Sequence, residues 1–420
     1  MIEGGLNFEG AWLYGLPWYY ILPLVTAALL LALSRRVAAR VARAYPGRLA
    51  AAWSVYLPLA VVFSLGMASL DDLSTGTLFL VALIFYGLMV MNPVLDLVLA
   101  FRRRGPRGRR LGAVFNICLL ALAAYSFFVE PYRIEVTFHR LVLPGAPALR
   151  LVQISDIQAE RWTGREEAAV EIVSGLSPDL IVVTGDYYTG LLSYQAPGAA
   201  AARRLLASLR APLGVYAVSG SSNPAAEDPE LLRGTGVEYL SNRSAVVNRD
   251  GGKLVVAGLD YVAPDLDRAL AGVSTDLPIV LLYHSPAFGF DPRGGPHGWT
   301  EALPRLFSPP PPPNPRLKAR GVDLLLTGHT HGGQVRFPLV GAVMTGTRLG
   351  SRFTRGWHDV GGCRLYINRG LGMDGRFAPK IRFLSRPEIA VFDINTAAPA
   401  GTGGGAETEL KAVAGRPPNR

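Results

Sequence analysis

Cysteine is nearly missing from this chain: two residues in 420 leave no material for a disulfide framework or a zinc-thiolate site. Cys118 lies inside an apolar run and Cys363 lies far along the chain, so the pair is not expected to meet. Charge is scarce as well. Only 18% of residues are charged against 50% hydrophobic, and the mean hydropathy is +0.25. That excess gathers in the first 130 residues, which points to a membrane region rather than an unusually greasy globule. Acidic side chains are outnumbered, 32 to 42, for a net charge of +10. Much of the surplus sits in two short loops, Arg35, Arg36, Arg40, Arg43 and Arg48, then Arg102, Arg103, Arg104, Arg107, Arg109 and Arg110. Arginines flanking apolar spans report topology, so the charge argues against nucleic acid as the main partner.

A chain of this length holds two or three domains and buries a sizeable core. Four stretches lack charges for about a span's length, from about Leu16 to Leu33, Leu49 to Leu70, Thr75 to Leu95 and Leu111 to Val129. The first has an acidic lead (Glu3, Glu9), no basic n-region and no small-residue cleavage site, unlike a cleavable signal peptide. Residues 1–130 are therefore expected to form four transmembrane helices, with the bilayer as partner. The second loop carries Asp71 and Asp72 while the first and third carry the arginines. By the positive-inside rule the arginine loops face the cytoplasm of an inner-membrane protein, and the N-terminus and everything after Val129 lie outside. Asp96, near the cytoplasmic end of the third span, reads as an interfacial residue.

After Glu130 short β-branched runs alternate with helical stretches. Strands are expected at Leu149–Ser155, Leu180–Thr184, Val215–Ser219, Leu254–Gly258, Ile279–His284 and Val322–Thr327, and helices at Arg165–Leu176 and Gly198–Leu209. This order implies an α/β domain over 131–395 with a mostly parallel core. A Pro-rich insertion at 291–316 should be extended, and 396–420, rich in Ala, Gly, Thr and Pro, should be disordered. Polar residues follow the strands: Asp156, Asp186, His284, His329 and His331. In α/β sheets the ligand crevice lies outside the strands' carboxyl ends, so these five can converge. Carboxylates and imidazoles together suit a pair of divalent metals such as Mn, Fe, Zn or Mg. His139 and His358 read as surface or packing residues, and His297 as a loop residue.

Five blocks carry a more specific signal: Ser155-Asp156-Ile157-Gln158, Thr184-Gly185-Asp186, Gly220-Ser221-Ser222-Asn223, Tyr283-His284-Ser285-Pro286 and Gly328-His329-Thr330-His331-Gly332-Gly333-Gln334. In this order they resemble the bacterial, often membrane-associated branch of the calcineurin-like metallophosphoesterases. The likeness covers about Tyr132 to Ile394 and leaves the four spans outside. It implies a β-sandwich core with flanking helices and two divalent metal ions. It also implies a phosphate mono- or diester substrate, in some members an envelope lipid or nucleotide-sugar.

The resemblance places Asp156, Asp186 and His331 on one metal and Asp186, His284 and His329 on the other. The family pattern has His where this chain has Gln158, and Asn-His where it has Ser221-Ser222. Gln158, Ser221 and Asn223 stand as weaker candidate ligands. Ser222 occupies the position of the family's leaving-group histidine and cannot donate a proton near neutral pH. Two readings follow: a hydrolase with an altered site, or a metal- or phosphate-binding module without turnover. No protein partner is legible.

Overall fold

The computed structural model describes residues 18–41, 45–70, 80–94, 96–97, 108–189, 195–222, 228–291, 311–342, 345–347, 349–374, 379–395 and 410–413. The chain divides into two units, a helical one up to Ala124 and an α/β one that begins at Tyr125.

Four helices make up the first: α1 (Trp18–Val41), α2 (Tyr45–Leu70), α3 (Leu80–Val94) and α4 (Gly108–Phe128), the last running into the second unit. They fall on the four apolar stretches. Among the described residues one helical segment, Ala113–Tyr132, is long and apolar enough to cross a membrane, with a mean hydropathy of 1.8. Parts of the first three stretches lie outside the described residues. The loop expected after the first stretch is largely helix, because α1 continues through Arg35 and Arg36 to Val41. There the Arg35 guanidinium pairs with Asp96 at 2.8 Å and donates to Asn92, so Asp96 has a partner from another helix. Buried positions of this unit include small or polar residues, Ala27, Ser34, Ala52, Ala60, Ser64 and Ala82, beside the larger Leu31, Tyr56 and Leu83. Leu29, Val62, Phe63, Leu65, Val114 and Phe115 point outward.

Two mixed sheets form the second unit. The first has the order β15-β1-β14-β2-β3-β4-β5. Its members are β1 (Glu135–Leu141), β2 (Leu149–Ile154), β3 (Leu180–Val183), β4 (Val215–Ala217), β5 (Val237–Tyr239), β14 (Glu388–Ile394) and β15 (Leu410–Val413). The second, β12-β13-β9-β8-β7-β6, comprises β6 (Arg243–Arg249), β7 (Gly252–Gly258), β8 (Ile279–Leu282), β9 (Val322–Thr327), β12 (Gly356–Val360) and β13 (Cys363–Ile367). Arg336–Phe337 and Gly341–Ala342 (β10, β11) pair by themselves.

Alternation of side chains along the strands builds three apolar layers. Leu149, Leu151, Leu180 and Val182 meet Leu254, Val256, Val280, Leu282, Leu324 and Leu326 between the sheets. The other face of the first sheet, Val152, Ile154, Ile181 and Val183, is covered by α5 (Gly164–Gly175) and α6 (Gln195–Leu206) through Ala169, Val173, Ala201 and Leu205. Thr163 starts α5 with a capping box, its side chain and that of Glu166 each satisfying backbone N–H groups of the first turn. On the second sheet Val255, Ala257, Leu281 and Leu325 pack under Leu266, Phe288 and Leu317.

Parallel pairing joins β2, β3, β4 and β5, and β7, β8, β9 and β13, as the alternation of elements implies. The antiparallel contacts, β14 with β2, β12 with β13 and β6 with β7, involve strands the sequence reading did not identify. The expectation of disorder across 396–420 is corrected at one point. Leu410–Val413 pairs antiparallel with β1, which would otherwise be an open edge. Residues 292–310, most of the Pro-rich insertion, lie outside the described residues, and its end is helical from Pro315.

Candidate metal centre

Every candidate ligand stands just past the carboxyl end of a central strand, Asp156 after β2, Asp186 after β3, His284 after β8, and His329 and His331 after β9. Two sheets thus contribute to one crevice. All five side chains are buried. They fall into two groups, Asp186 with His284 and His329, and Asp156 with Asp186 and His331, the candidate ligand atoms of each lying within 4.8 Å of one another. Asp186 belongs to both.

The backbone is bent to aim these side chains. Asp156, Asp186, His329 and His331 have φ of 47°, 55°, 71° and 50°, and Gln158 has 45°. Non-glycine residues rarely adopt this left-handed conformation, and each instance costs roughly 1–3 kcal/mol. Two glycines let other segments close on the carboxylates. A Cβ at Gly220 would fall 2.1 Å from Asp186 Oδ1, and one at Gly328 would fall 2.1 Å from Asp156 Oδ2.

Hydrogen bonds fix what the bends aim. The Ser222 backbone N–H donates to Asp186 Oδ1 at 2.8 Å, beside the shorter bond from the Ser221 N–H at 2.5 Å. His329 N–H donates to both oxygens of Asp156, at 2.9 and 3.0 Å. His284 Nδ1 donates to the Thr184 carbonyl at 2.8 Å, so Nε2 faces inward, 3.3 Å from Asp186 Oδ2. His331 Nε2 lies 3.5 Å from Asp156 Oδ1. Behind the site Arg369 pairs with Glu388 at 3.0 Å and Glu135 at 2.8 Å, anchoring the turn whose Gly370 packs on Asp156.

The replaced positions also point inward. The Gln158 amide donates to Asp186 Oδ2 at 2.8 Å and to the Ser222 hydroxyl at 2.7 Å. Ser222 Oγ donates to the same carboxylate oxygen at 2.8 Å. Ser221 Oγ lies 3.2 Å from Asp186 Oδ2 and from His284 Nε2, and 3.4 Å from His329 Nδ1. Asn223 and His297 lie outside the described residues. His139 is packed among Trp357, Tyr366 and Phe392, and His358 stacks on Phe353, as packing residues do. Tyr261 was missed. Its ring lies edge-on to His284 at 5.4 Å between centroids. It stands three residues past β7, so the same rule of polar groups beyond strand ends points to it.

Charge is poorly balanced here without a cation. Burial drives the Asp156 carboxyl up to about 7; the His284 ring opposes the rise and the Asp186 carboxylate adds to it. Burial would raise Asp186 too, but the His284 imidazole and the Ser222 N–H override it and hold the carboxyl far below its usual range. Burial likewise disfavours a charged His284, yet Asp186 lifts it to about 9. Burial and the nearby Arg382 guanidinium keep His331 neutral. His331 Nδ1 and Gln158 Oε1 are buried without a hydrogen-bond partner. Two carboxylates, inward imidazole nitrogens and unpaired acceptors form a donor set that fits divalent cations.

Metal and protons should therefore compete. Asp156, raised to about 7, and His284, raised to about 9, must both deprotonate to act as ligands. Metal affinity should rise by at least about tenfold between pH 6 and pH 8, with proton release on binding. Calorimetric titration in buffers of different ionisation enthalpy measures both quantities. An affinity flat across that range, with no proton released, would contradict the assignment.

Comparison with known proteins agrees with this geometry. The family model described as calcineurin-like phosphoesterase matches residues 149–333, from β2 to the last candidate ligands. The metallophosphoesterase YkuE of Bacillus subtilis is 30% identical over 286 residues, 65% of this chain and 89% of that protein. A bovine (Bos taurus) transmembrane protein with metallophosphoesterase domain is 30% identical over 228 residues, 49% of this chain and 45% of that one. The UDP-2,3-diacylglucosamine pyrophosphatase LpxG of Chlamydia muridarum is 27% identical, over 58% of this chain and 82% of that protein. The chain belongs to the calcineurin-like phosphoesterase family.

Proposed function

We propose that this chain is a membrane-anchored, metal-dependent phosphoesterase whose altered site favours substrates with good leaving groups. The observation that carries the reading is the sharing of buried Asp186 by two candidate ligand groups. Asp156, Asp186 and His331, with Gln158, would hold one divalent ion, and Asp186, His284 and His329 the other. When bound, such a pair of ions polarises phosphoryl oxygens and lowers the pKa of a water held between them.

The chain's own groups supply the rest. Backbone N–H donors and the Thr184 carbonyl hold the carboxylates and the His284 tautomer in place, so little reorganisation is needed when substrate arrives. Proton delivery to the leaving group is the weak point. Ser222 stands at the family's histidine position and already donates to Asp186 Oδ2. General-acid help is worth about 10²–10⁴ in rate, and its loss matters little when the leaving group is already a weak base. Phosphoanhydrides and aryl esters meet that condition, and alkyl esters do not. A pyrophosphate link in a nucleotide-activated lipid fits this chemistry and the name of one relative.

Membrane anchoring rests on the four apolar helices, on the bovine relative described as a transmembrane protein, and on the large apolar side chains that the first unit exposes. Small and hydroxyl residues among the buried positions, with many large apolar side chains facing outward, fit helices that pack in lipid. Arg35, Asn92 and Asp96 would place a satisfied polar cluster near the cytoplasmic ends of their helices. With the arginines cytoplasmic, the phosphoesterase domain lies outside an inner membrane. A reporter fused after Pro131 should respond as extracytoplasmic, and a cytoplasmic response would overturn the orientation.

Turnover is tested with bis(p-nitrophenyl) phosphate and an alkyl phosphodiester, each with added Mn²⁺ or Zn²⁺. Metal-dependent hydrolysis of the activated ester is expected, with little of the alkyl ester. Combining Gln158→His, Ser221→Asn and Ser222→His should raise alkyl-ester hydrolysis at least about tenfold, since it restores an imidazole ligand and a proton donor. A folded triple variant that binds two metals without any gain would contradict this reading. Metal bound with no turnover of either ester would favour a binding module.

A further inference from the structure

Large apolar side chains stand in the open at one end of the α/β unit. The β10–β11 hairpin starts shortly after His331, and its turn reads Phe337-Pro338-Leu339-Val340. All four residues are exposed, Leu339 completely. Leu339 also has a φ of 68°, a conformation that favours glycine. Beside the hairpin runs Phe383, whose N–H donates to the Gln334 carbonyl and whose carbonyl accepts from the Arg336 N–H, both at 2.9 Å. The next residue, Leu384, repeats the combination: it is exposed and has a φ of 54°. A lone exposed leucine needs no explanation, but a run of four apolar residues facing water does. Here two leucines in adjoining segments are held exposed by backbone conformations that themselves cost energy.

The patch is continuous with the segment long and apolar enough to cross a membrane. Ala113–Tyr132 ends within the same unit, and Phe128, Val129 and Tyr132 at its end are exposed. The Arg382 N–H donates to the Ser126 carbonyl at 3.1 Å and the Ser385 N–H to the Glu130 carboxylate at 2.7 Å, which sets Leu384 beside that end. The same two residues hold the turn of candidate ligands. Arg382 Nη1 and Ser385 Oγ donate to the His331 carbonyl at 3.4 and 3.2 Å. Charge near the hairpin has one sign: from His329 to His358 the chain carries Arg336, Arg348, Arg352 and Arg355 and no carboxylate. Arg336 Nη1 donates to Thr354 Oγ1 at 2.7 Å, so the hairpin's base meets the turn that bears Arg352. We propose that the hairpin, with Leu384 and the end of the apolar segment, is a membrane-docking surface that holds the crevice at headgroup depth, where it takes a phosphoester borne by a bilayer lipid. The proposal rests on the reading of a membrane-anchored phosphoesterase and names where its substrate lies. An apolar tip above an arginine base suits the interface, with the tip among acyl chains and the guanidinium groups among phosphates. Moving Phe337, Leu339 and Val340 out of water offsets the cost of the turn that presents them.

The test uses the full chain in vesicles of phosphatidylcholine and phosphatidylglycerol, with a fluorescent thiol label. Cys118→Ala clears the exposed thiol, Cys363 is buried, and Leu339→Cys or Val142→Cys carries the label. Val142 is also exposed but follows β1 at the end of the first sheet opposite the crevice. Lipids with a nitroxide on the acyl chain should quench at least about half of the emission at 339 and little at 142. A second arm compares phosphatidyl-p-nitrophenol in the vesicles with soluble bis(p-nitrophenyl) phosphate, which share a leaving group. Leu339→Asp should lower the ratio of lipid to soluble turnover at least about tenfold. Equal quenching at 339 and 142, or an unchanged ratio, would overturn the proposal while leaving the hydrolase standing. A chain that does not float with the vesicles would sink the anchoring beneath it. Turnover of neither ester would sink the phosphoesterase reading, and the lipid substrate with it.

Discussion

A carboxylate taken out of water must be repaid by donors or by positive charge, and Asp186 is the point where this chain meets that demand. Its two oxygens collect the Ser221 and Ser222 N–H groups, the Ser222 hydroxyl and the Gln158 amide, while the His284 ring lies 3.3 Å away. Around it the strand ends of two sheets are drawn together. Gly220 and Gly328 remove the side chains that would keep them apart. Asp156 is less well served. The His329 N–H and the Ser155 hydroxyl reach it, but the His284 ring offsets only part of the burial, and its carboxyl sits near 7. The four left-handed candidate ligands are conformational cost held at this one place, and a bound cation would be the natural compensation.

Strands β3 and β8 were legible because each is fully buried and reads as an unbroken apolar run, Leu-Ile-Val-Val and Ile-Val-Leu-Leu, while β2 and β9 stay mostly apolar around Arg150, Gln153 and Asp323. The five principal candidate ligands were legible for a related reason, since a polar residue just past such a run has few structural explanations. Strands β1 and β14 escaped notice because they bury charged and polar groups. Glu135, Thr137, His139 and Glu388 are all inside, satisfied by Arg369, Tyr366 and Trp357, and the contacts of the first three join residues more than 200 positions apart. No local pattern encodes such partners. The position of Ser221 was hidden in the same way. Composition registers a missing amide oxygen, whereas the place of Ser221 beside Asp186 depends on Gly220 and on a bond to a residue 35 positions away.

In the helical unit, sequence and structure differ over the arginines. Counting charges places Arg35 and Arg36 in a loop, but the helix carries through them, since both are good helix formers and neither Gly nor Pro interrupts the run to Val41. Arg35 then finds Asp96, a pairing no spacing rule would have suggested. Tyr56 donates to the Leu83 carbonyl at 2.6 Å, and the π-helical turn Tyr86–Met91 follows at once. Gly87 leaves room for that phenol, a Cβ there falling 2.6 Å from its oxygen. Side-chain bonds of this kind, with Ser34 and Ser64 bonded back to their own helices, leave few polar atoms free in an otherwise apolar bundle.

The central claim is that Asp186 joins two metal sites into one centre. Metal content of the purified full chain, by elemental analysis of wild type against Asp186→Asn, addresses it directly. An amide there removes the shared negative charge while keeping the shape. The account predicts about two divalent ions per wild-type chain, reduced together in the variant, because each group loses its common carboxylate. Loss of one ion with the other held at full occupancy would mean two independent sites, and unchanged metal content would mean that Asp186 is no ligand at all.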